Sequence, residues 1–378
     1  MAERWNDQTC IVGVGATPQG KMPGSTADDL AVWAMREALA DAKVSKSVLD
    51  GLVVQRSYGG GGDLRNVGHR LGLEPAFALN ASSQGEALHA AVMAILTGDA
   101  TCVGLVYGTN QRTNRNSFAA PSYHLGGNFE QVYGLANPGS VAAFNYRRRM
   151  HDFGATEEQL GAVAVAQSRA AALNPLAVYR NRLTLDDYLA AEYVIAPLRL
   201  YDFSMISDGA FATIIASADI ASQLGGPQVY INAMGHQSNF RELEVPDAMY
   251  HPSQKPNAAR LWRAADFGPK DVDLLYVQDA FTPNVLAALE NYGFCEFGTA
   301  HEWIQGGRIE LDGELPVNVN GGQNRMAYMV GWHNTFDAVK QLRGEAQLPE
   351  RQKNPCRIVL STMSSGHWQE THSILLHV

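Results

Sequence analysis

The sequence predicts an α/β protein made of two similar halves, and three observations predict it. Apolar runs of strand length alternate with helical patterns from Thr9 to the C-terminus. That rhythm pauses once, between residues 110 and 195, where the text turns polar and loop-rich. Finally, FALN-ASSQG-EALHAAVMAI (77–95) in the first half matches PVNV-NGGQN-RMAYMVGWHNTFDAV (316–339) in the second, and each reads as strand, small-residue turn and helix.

Taken in order, TCIVGVGA (9–16) is a buried type of strand. Ser25-Thr26-Ala27-Asp28-Asp29 carries the cap and first-turn acids of a helix, with Leu30, Trp33, Ala34 and Ala38 on helical spacing behind it. GLVVQ (51–55) is the next strand and SYGGGGD (57–63) a loop; without a following Lys-Ser/Thr it is no phosphate-binding loop. A strand ending at Asn80, a tight turn and a helix from Glu86 lead to the strand CVGLVYG (102–108). In the interruption, Thr156 and Gln159 form a capping box for a helix over 156–172. SDGAFATIIAS (207–217) is a turn running into a strand. Then come strands at 229–235, 273–279, 316–322, 357–363 and 371–378, with helices around 257–266, 282–292 and 334–343.

A formal charge of −9 spread along the chain, with no Lys/Arg tract, argues against nucleic acid and anionic membranes as partners. Arg147-Arg148-Arg149 reads as a solvated helix face. No run approaches the roughly 20 apolar residues of a membrane span, and MAERWNDQTC has no signal-peptide core. Cys10, Cys102, Cys295 and Cys356 are far apart without CxxC spacing, so zinc is not expected, and a reduced, cytoplasmic location is. Cys10 and Cys102 lie in strand-like runs and read as packing residues.

Several stretches together resemble the thiolase superfamily, in its sterol-carrier or lipid-transfer-protein branch. They are IVGVGATPQG near the start, residues 133–177, PLRLYDFSMISDGA (197–210), LPVNVNGG (315–322), VKQLRGEA (339–346) and the closing HSILL. The resemblance implies duplicated βαβαβαββ halves packed as a five-layer αβαβα sandwich with an inserted loop region. The first half would take residues 1–120 plus 195–220, the loop region 121–194 and the second half 221–378.

Four active-site segments of that superfamily carry over. The elbow C-x-[ST]-G places Ala81 in the seat of the nucleophilic cysteine, which a helix N-terminus activates; a methyl group cannot attack a thioester. Ser82 and Ser83 beside it are either caps of the helix or weak substitutes. The N-E-A-F segment reads Gln278-Asp279-Ala280-Phe281, and Gln278 either donates to a thioester oxygen or only ties down a loop. In G-G-x-x-x-x-G-H-P, starting at Gly321-Gly322, the histidine position falls on Tyr328, with His333 five residues on as a further candidate or a core residue. The C-x-G-x-G segment corresponds to Met363-Ser364-Ser365-Gly366-His367, with no cysteine; Ser365 and Gly366 offer backbone donors and His367 a proton carrier.

Both catalytic cysteines of an ordinary thiolase are therefore missing, while a pocket of donors for a thioester carbonyl is kept. The resemblance then implies the steroid side-chain aldolase variant, which cleaves a β-hydroxyacyl-CoA by a retro-aldol step. Tyr328 would carry the proton and Gln278 hold the thioester oxygen. That subgroup is expected to have a second tyrosine at position 278; Tyr276, two residues earlier on the same strand face, is the expected substitute. Two alternatives stay open: acyl transfer or condensation in the manner of an acetyl-CoA acetyltransferase, through Ser82 or Ser83, and a non-catalytic acyl-CoA-binding scaffold. No cofactor is implied beyond the coenzyme A of the substrate. The resemblance also implies a homodimer, and a small zinc-ribbon and OB-fold partner that makes a heterotetramer.

Overall fold

In the computed structural model of the chain, the described residues are 5–57, 60–114, 132, 137–224, 226–239, 250–251, 253–364 and 370–378. The strands are β1 (Thr9–Ala16), β2 (Gly51–Ser57), β3 (Gly60–Gly61), β4 (Phe77–Ala81), β5 (Cys102–Thr109), β6 (Tyr193–Ile195), β7 (Leu198–Arg199), β8 (Gly209–Ser217), β9 (Val229–Ser238), β10 (Leu274–Val277), β11 (Ile358–Ser364) and β12 (Glu370–His377). The main helices are α1 (Ala27–Asp41), α2 (Leu64–Leu71), α3 (Gln84–Thr97), α4 (Pro138–Phe153), α5 (Glu157–Leu173), α6 (Gln254–Ala264), α7 (Pro283–Asn291) and α8 (Trp332–Leu342).

Strand order shows the duplication. The first half runs β4-β2-β5-β8-β1, parallel across β4, β2 and β5 and antiparallel at β8. The second half runs in the same sense from a parallel bridge at Val317 through β10, β11 and β12 to β9. The halves join where β1 meets β9, through only Cys10–Tyr230 and Ile11–Val229.

Five layers follow from where the helices pack. Helix α3 touches β2, β4, β5 and β8 of its own half and β11 and β12 of the other. Helix α8 likewise touches β10 and β11, and β1 and β8 across from it. These two form the middle layer, in a core that includes Leu88, Val92, Phe211, Trp332, Val339 and Ile374. A helix stripe apolar on both sides is what a doubly covered layer demands, and Ala87, Leu88, Ala91, Val92, Ala94 and Ile95 of α3 supply it. Outside, α1 covers β1, β5 and β8, and α6 covers β9 and β12.

Several expectations need correction. PVNVNGG is not a strand: Val317 makes a single bridge to Leu275, because Asn318 and the left-handed Gly321 and Gly322 bend the chain away. The loop at 57–63 is shorter than expected, since β2 runs through Ser57 and pairs with β3. Helix α3 begins at Gln84, two residues before Glu86, because Ser83 caps it. Arg149 does not share a solvated face. It is buried and holds Glu290 of α7 through two bonds of 2.6 and 2.7 Å, whereas Arg148 pairs with Asp152 at the surface. Cys10 and Cys102 are buried packing residues as expected. Among the described residues, no helix is long and apolar enough to cross a membrane.

Candidate active site

The elbow is built from β4 and α3. Parallel pairing with β2 sets Ala81 opposite Gln55 at the end of the strand, and Ala81 is buried. Ser83 Oγ accepts from Glu86 N at 3.2 Å and so caps the helix. Glu86 returns its carboxylate to Ser82, accepting from its N–H at 2.7 Å and from its hydroxyl at 2.5 Å. Both serines are thus committed at the helix tip, and the seat at position 81 holds only a methyl.

The opposite wall comes from the second half. Gln278 follows β10; its carbonyl oxygen accepts from Ser364 N at 3.1 Å, and its NH2 has no partner among the described residues. Its NH2 group is therefore the donor this side chain can turn toward a ligand oxygen. Asp279 is fully buried, and burial pushes its carboxyl up to about 7. One of its oxygens takes Gln323 N at 3.0 Å and the other Gln167 Nε2 at 2.5 Å. Gly322, at φ 63, lies directly against this carboxylate with no room for a side chain. Asp279 and Gly322 therefore form a buried anchor that sets the path of the following segment.

That segment carries Tyr328, whose ring is half-buried and whose N–H donates to Ser207 Oγ at 3.0 Å. After it the chain turns sharply through Val330 at φ 42 and Gly331 at φ 97 into α8. The two walls meet at Gly331. A Cβ there would lie 2.6 Å from Gln84 Oε1, 3.5 Å from Met363 Cγ and 3.6 Å from Gln278 Oε1. The helix tip of α3, the ends of β10 and β11 and the turn before α8 thus converge on one place.

Other candidates lie elsewhere. His333 is in the core: its ring is buried beside Phe211, neither nitrogen has a partner among the described residues, and burial pushes it down to about 3. Tyr276 is no substitute for a second tyrosine either. Its hydroxyl donates to buried Asp337 at 2.6 Å, which also holds Arg351 at 2.7 Å, and burial beside that carboxylate raises the phenol far out of working range. Burial pushes the Cys295 and Cys356 thiols up to about 12. Cys356 precedes the start of β11, at the far end from Ser364, and Cys295 packs in the outer core of the second half. Ser365, Gly366 and His367 lie outside the described residues.

Sequence reasoning missed three polar groups around the turn and a histidine cluster packed against Gly85 at the start of α3. Gln84 stands where the elbow motif has its glycine, which was the available signal. Its Nε2 donates to Thr335 Oγ1 at 2.9 Å. Gln55 Oε1 accepts from Trp332 Nε1 at 2.5 Å. Ser207 is the third, and the cluster is His89, His236 and His372. There the last two rings stack at 4.4 Å and His89 sits 5.5–5.6 Å from both. Burial drives His89 down to about 4 and lowers His236 as well, helped by mutual repulsion.

Comparison with known proteins places this geometry. A family model described as thiolase C-terminal domain-like matches residues 238–378. The 17-hydroxy-3-oxo-4-pregnene-20-carboxyl-CoA lyase of Mycobacterium tuberculosis is 32% identical, over 90% of this chain and 93% of its own length. The chain belongs to the thiolase superfamily. Within the superfamily, the steroid side-chain-cleaving aldolase of Thermomonospora curvata is also 32% identical, over 88% of this chain and 90% of that protein. The solved structure of the Ltp2-ChsH2(DUF35) aldolase superposes with a TM-score of 0.87 at 30% identity, covering 99% of this chain and 98% of that one. Human mitochondrial 3-ketoacyl-CoA thiolase shares the fold, with a TM-score of 0.73 at 18% identity over 98% of each chain. Ala81, at the position expected for a nucleophile, stands at the end of β4, and Met363, where the expected second-cysteine segment begins, lies in β11.

Proposed function

We propose that the protein cleaves a β-hydroxyacyl-CoA by a retro-aldol reaction, releasing a ketone or aldehyde and a shorter acyl-CoA. Tyr328, as the phenolate, takes the β-hydroxyl proton, the Cα–Cβ bond breaks, and its electron pair becomes an enolate on the thioester. The amide NH2 of Gln278 holds the developing oxyanion. Tyr328, now bearing the proton, is the donor that returns it to Cα, so the step needs no cofactor beyond the coenzyme A of the substrate. The observation that carries this reading is the elbow. Ala81 offers no nucleophile and both neighbouring serines are tied down, yet Gln278 stands beside the turn at Gly331 with its amide oriented by Ser364 N. Similarity to two carbon–carbon-cleaving enzymes supports it, and a steroid side-chain thioester is the substrate class they suggest.

The test is to supply a steroid β-hydroxyacyl-CoA and follow both products by mass spectrometry. Appearance of ketone and short acyl-CoA is expected; thioester exchange without carbon–carbon cleavage would end the proposal. Ser82 motivates a second reading, because it is exposed and bonded to a carboxylate. A covalent acyl group on Ser82 would favour acyl transfer instead. We further propose a cytoplasmic homodimer and a partner subunit of the kind printed for the Ltp2-ChsH2(DUF35) assembly. Edge strand β4, partly exposed along Phe77–Asn80, is the natural seam between copies.

A further inference from the structure

We infer that Gln84 is a positioning residue for Tyr328, gripping from the first half of the chain a strained turn that belongs to the second. The activity arm of this inference rests on the retro-aldol reading above. The starting point is Val330, a β-branched residue at φ 42, followed by Gly331 at φ 97. A left-handed valine is a genuine outlier, and such a conformation persists only where its surroundings over-determine it. Helix α8 does not supply the hold itself, since it starts at Gly331 with no side chain capping its first turn. Three groups from the other half do. Ser207 fixes the N–H of Tyr328 before the turn. Gln55 takes the indole N–H of Trp332 after it. Gln84 reaches Thr335 one helical turn further on.

Gln84 is the central grip. It is 1% exposed, and its Oε1 packs against Gly331 with no hydrogen-bond partner among the described residues. An amide left half-satisfied in a core is expensive to keep, so its placement calls for a reason beyond packing. The reason offered by the geometry is that the elbow, having no sulfur to activate, now holds the opposite wall. Glutamine at the motif's glycine position converts the helix tip from a seat for a nucleophile into a brace for the segment that bears the phenol.

The experiment uses the full chain with its partner subunit. Gln84→Leu and Thr335→Val are compared with wild type for carbon–carbon cleavage and for backbone hydrogen exchange across residues 326–335. Each variant is expected to lower kcat by about 10- to 100-fold with KM within about twofold, as for a misplaced catalytic group. The double variant is expected to be no worse than the worse single, because both remove one contact. Thr335→Ser, which keeps the hydroxyl, is expected to restore wild-type kcat. Exchange in the turn is expected to quicken in Gln84→Leu and Thr335→Val and not in Thr335→Ser. Wild-type kcat and exchange in Thr335→Val, or fully additive losses, would overturn the inference even if Gln84→Leu misfolds. Should wild type itself cleave no β-hydroxyacyl-CoA, the reaction falls, and the exchange data still decide whether the grip exists.

Discussion

The two halves of this protein answer the same topological problem differently at their third strand. In the first half, β4 pairs with β2 over five residues and Ser83 caps a regular helix. In the second, the strand has shrunk to one bridge at Val317, two left-handed glycines follow, and a strained turn delivers an uncapped helix. The regular half presents only Ala81 at its helix tip, and the irregular half carries the candidate chemistry. Regular pairing fixes a helix tip well, but it projects one small side chain into the site. The looser path of residues 318–331 carries Tyr328 and fixes its N–H on Ser207. Its cost in backbone strain is met by Asp279, Ser207, Gln55 and Gln84.

The largest effect that can break this contrast is at Tyr328. Replacement by Phe is expected to lower kcat by about 10²- to 10⁴-fold in a cleavage assay, as for loss of a proton carrier. Retained activity would return attention to the first half. Gln278→Leu comes next, with a loss of about 10²- to 10³-fold in kcat for one oxyanion donor. Wild-type turnover in that variant would remove the amide from the site.

His333 sharpens the comparison through stability. Its folded pKa of about 3 lies below the ordinary 6.5, so the core accepts only the neutral ring. The folded state therefore loses stability as pH falls below 6.5, by about 2 kcal/mol at pH 5 for this residue alone. His333→Leu is expected to be more stable than wild type, and more so at pH 5 than at pH 7.5, in thermal unfolding. An equal gain at both values would mean that the ring does not titrate as its burial implies. The smallest effects belong to the elbow. Ser83→Ala is expected to cost about 1 kcal/mol of stability through the lost cap. Ser82→Ala is expected to change kcat less than about twofold, as for a surface position outside the chemistry. A large loss of activity in Ser82→Ala would revive acyl transfer.

Much of the fold was legible because strand runs and caps are local signals. Thr156 with Gln159 gave the capping box of α5, and Cys10 and Cys102 gave buried strands. The duplication was legible because one half echoes the other. The strand at 316–322 was misread because its apolar alternation is real, while Asn318 at φ 49 and the glycines after it bend the chain out of a ladder. For the site, the aligned motifs singled out Ala81, Gln278 and Tyr328, and the structure adds that Gln278 lies beside Gly331, three residues after Tyr328. Tyr276 was misplaced because face alternation says which side a residue takes and not which group claims its hydroxyl. Contacts such as Gln84 with Thr335 and Arg149 with Glu290 join residues far apart in the chain, and no periodicity reports them.

The seam between β1 and β9 has a practical corollary. So short a zipper of main-chain bonds cannot by itself keep the two sheets in register. The glue is the pair of helices between them, and those same helices frame the reaction chamber. Gentle warming or mild denaturant is therefore expected to slacken the chamber first, so that catalysis fades while circular dichroism still reports intact sheets.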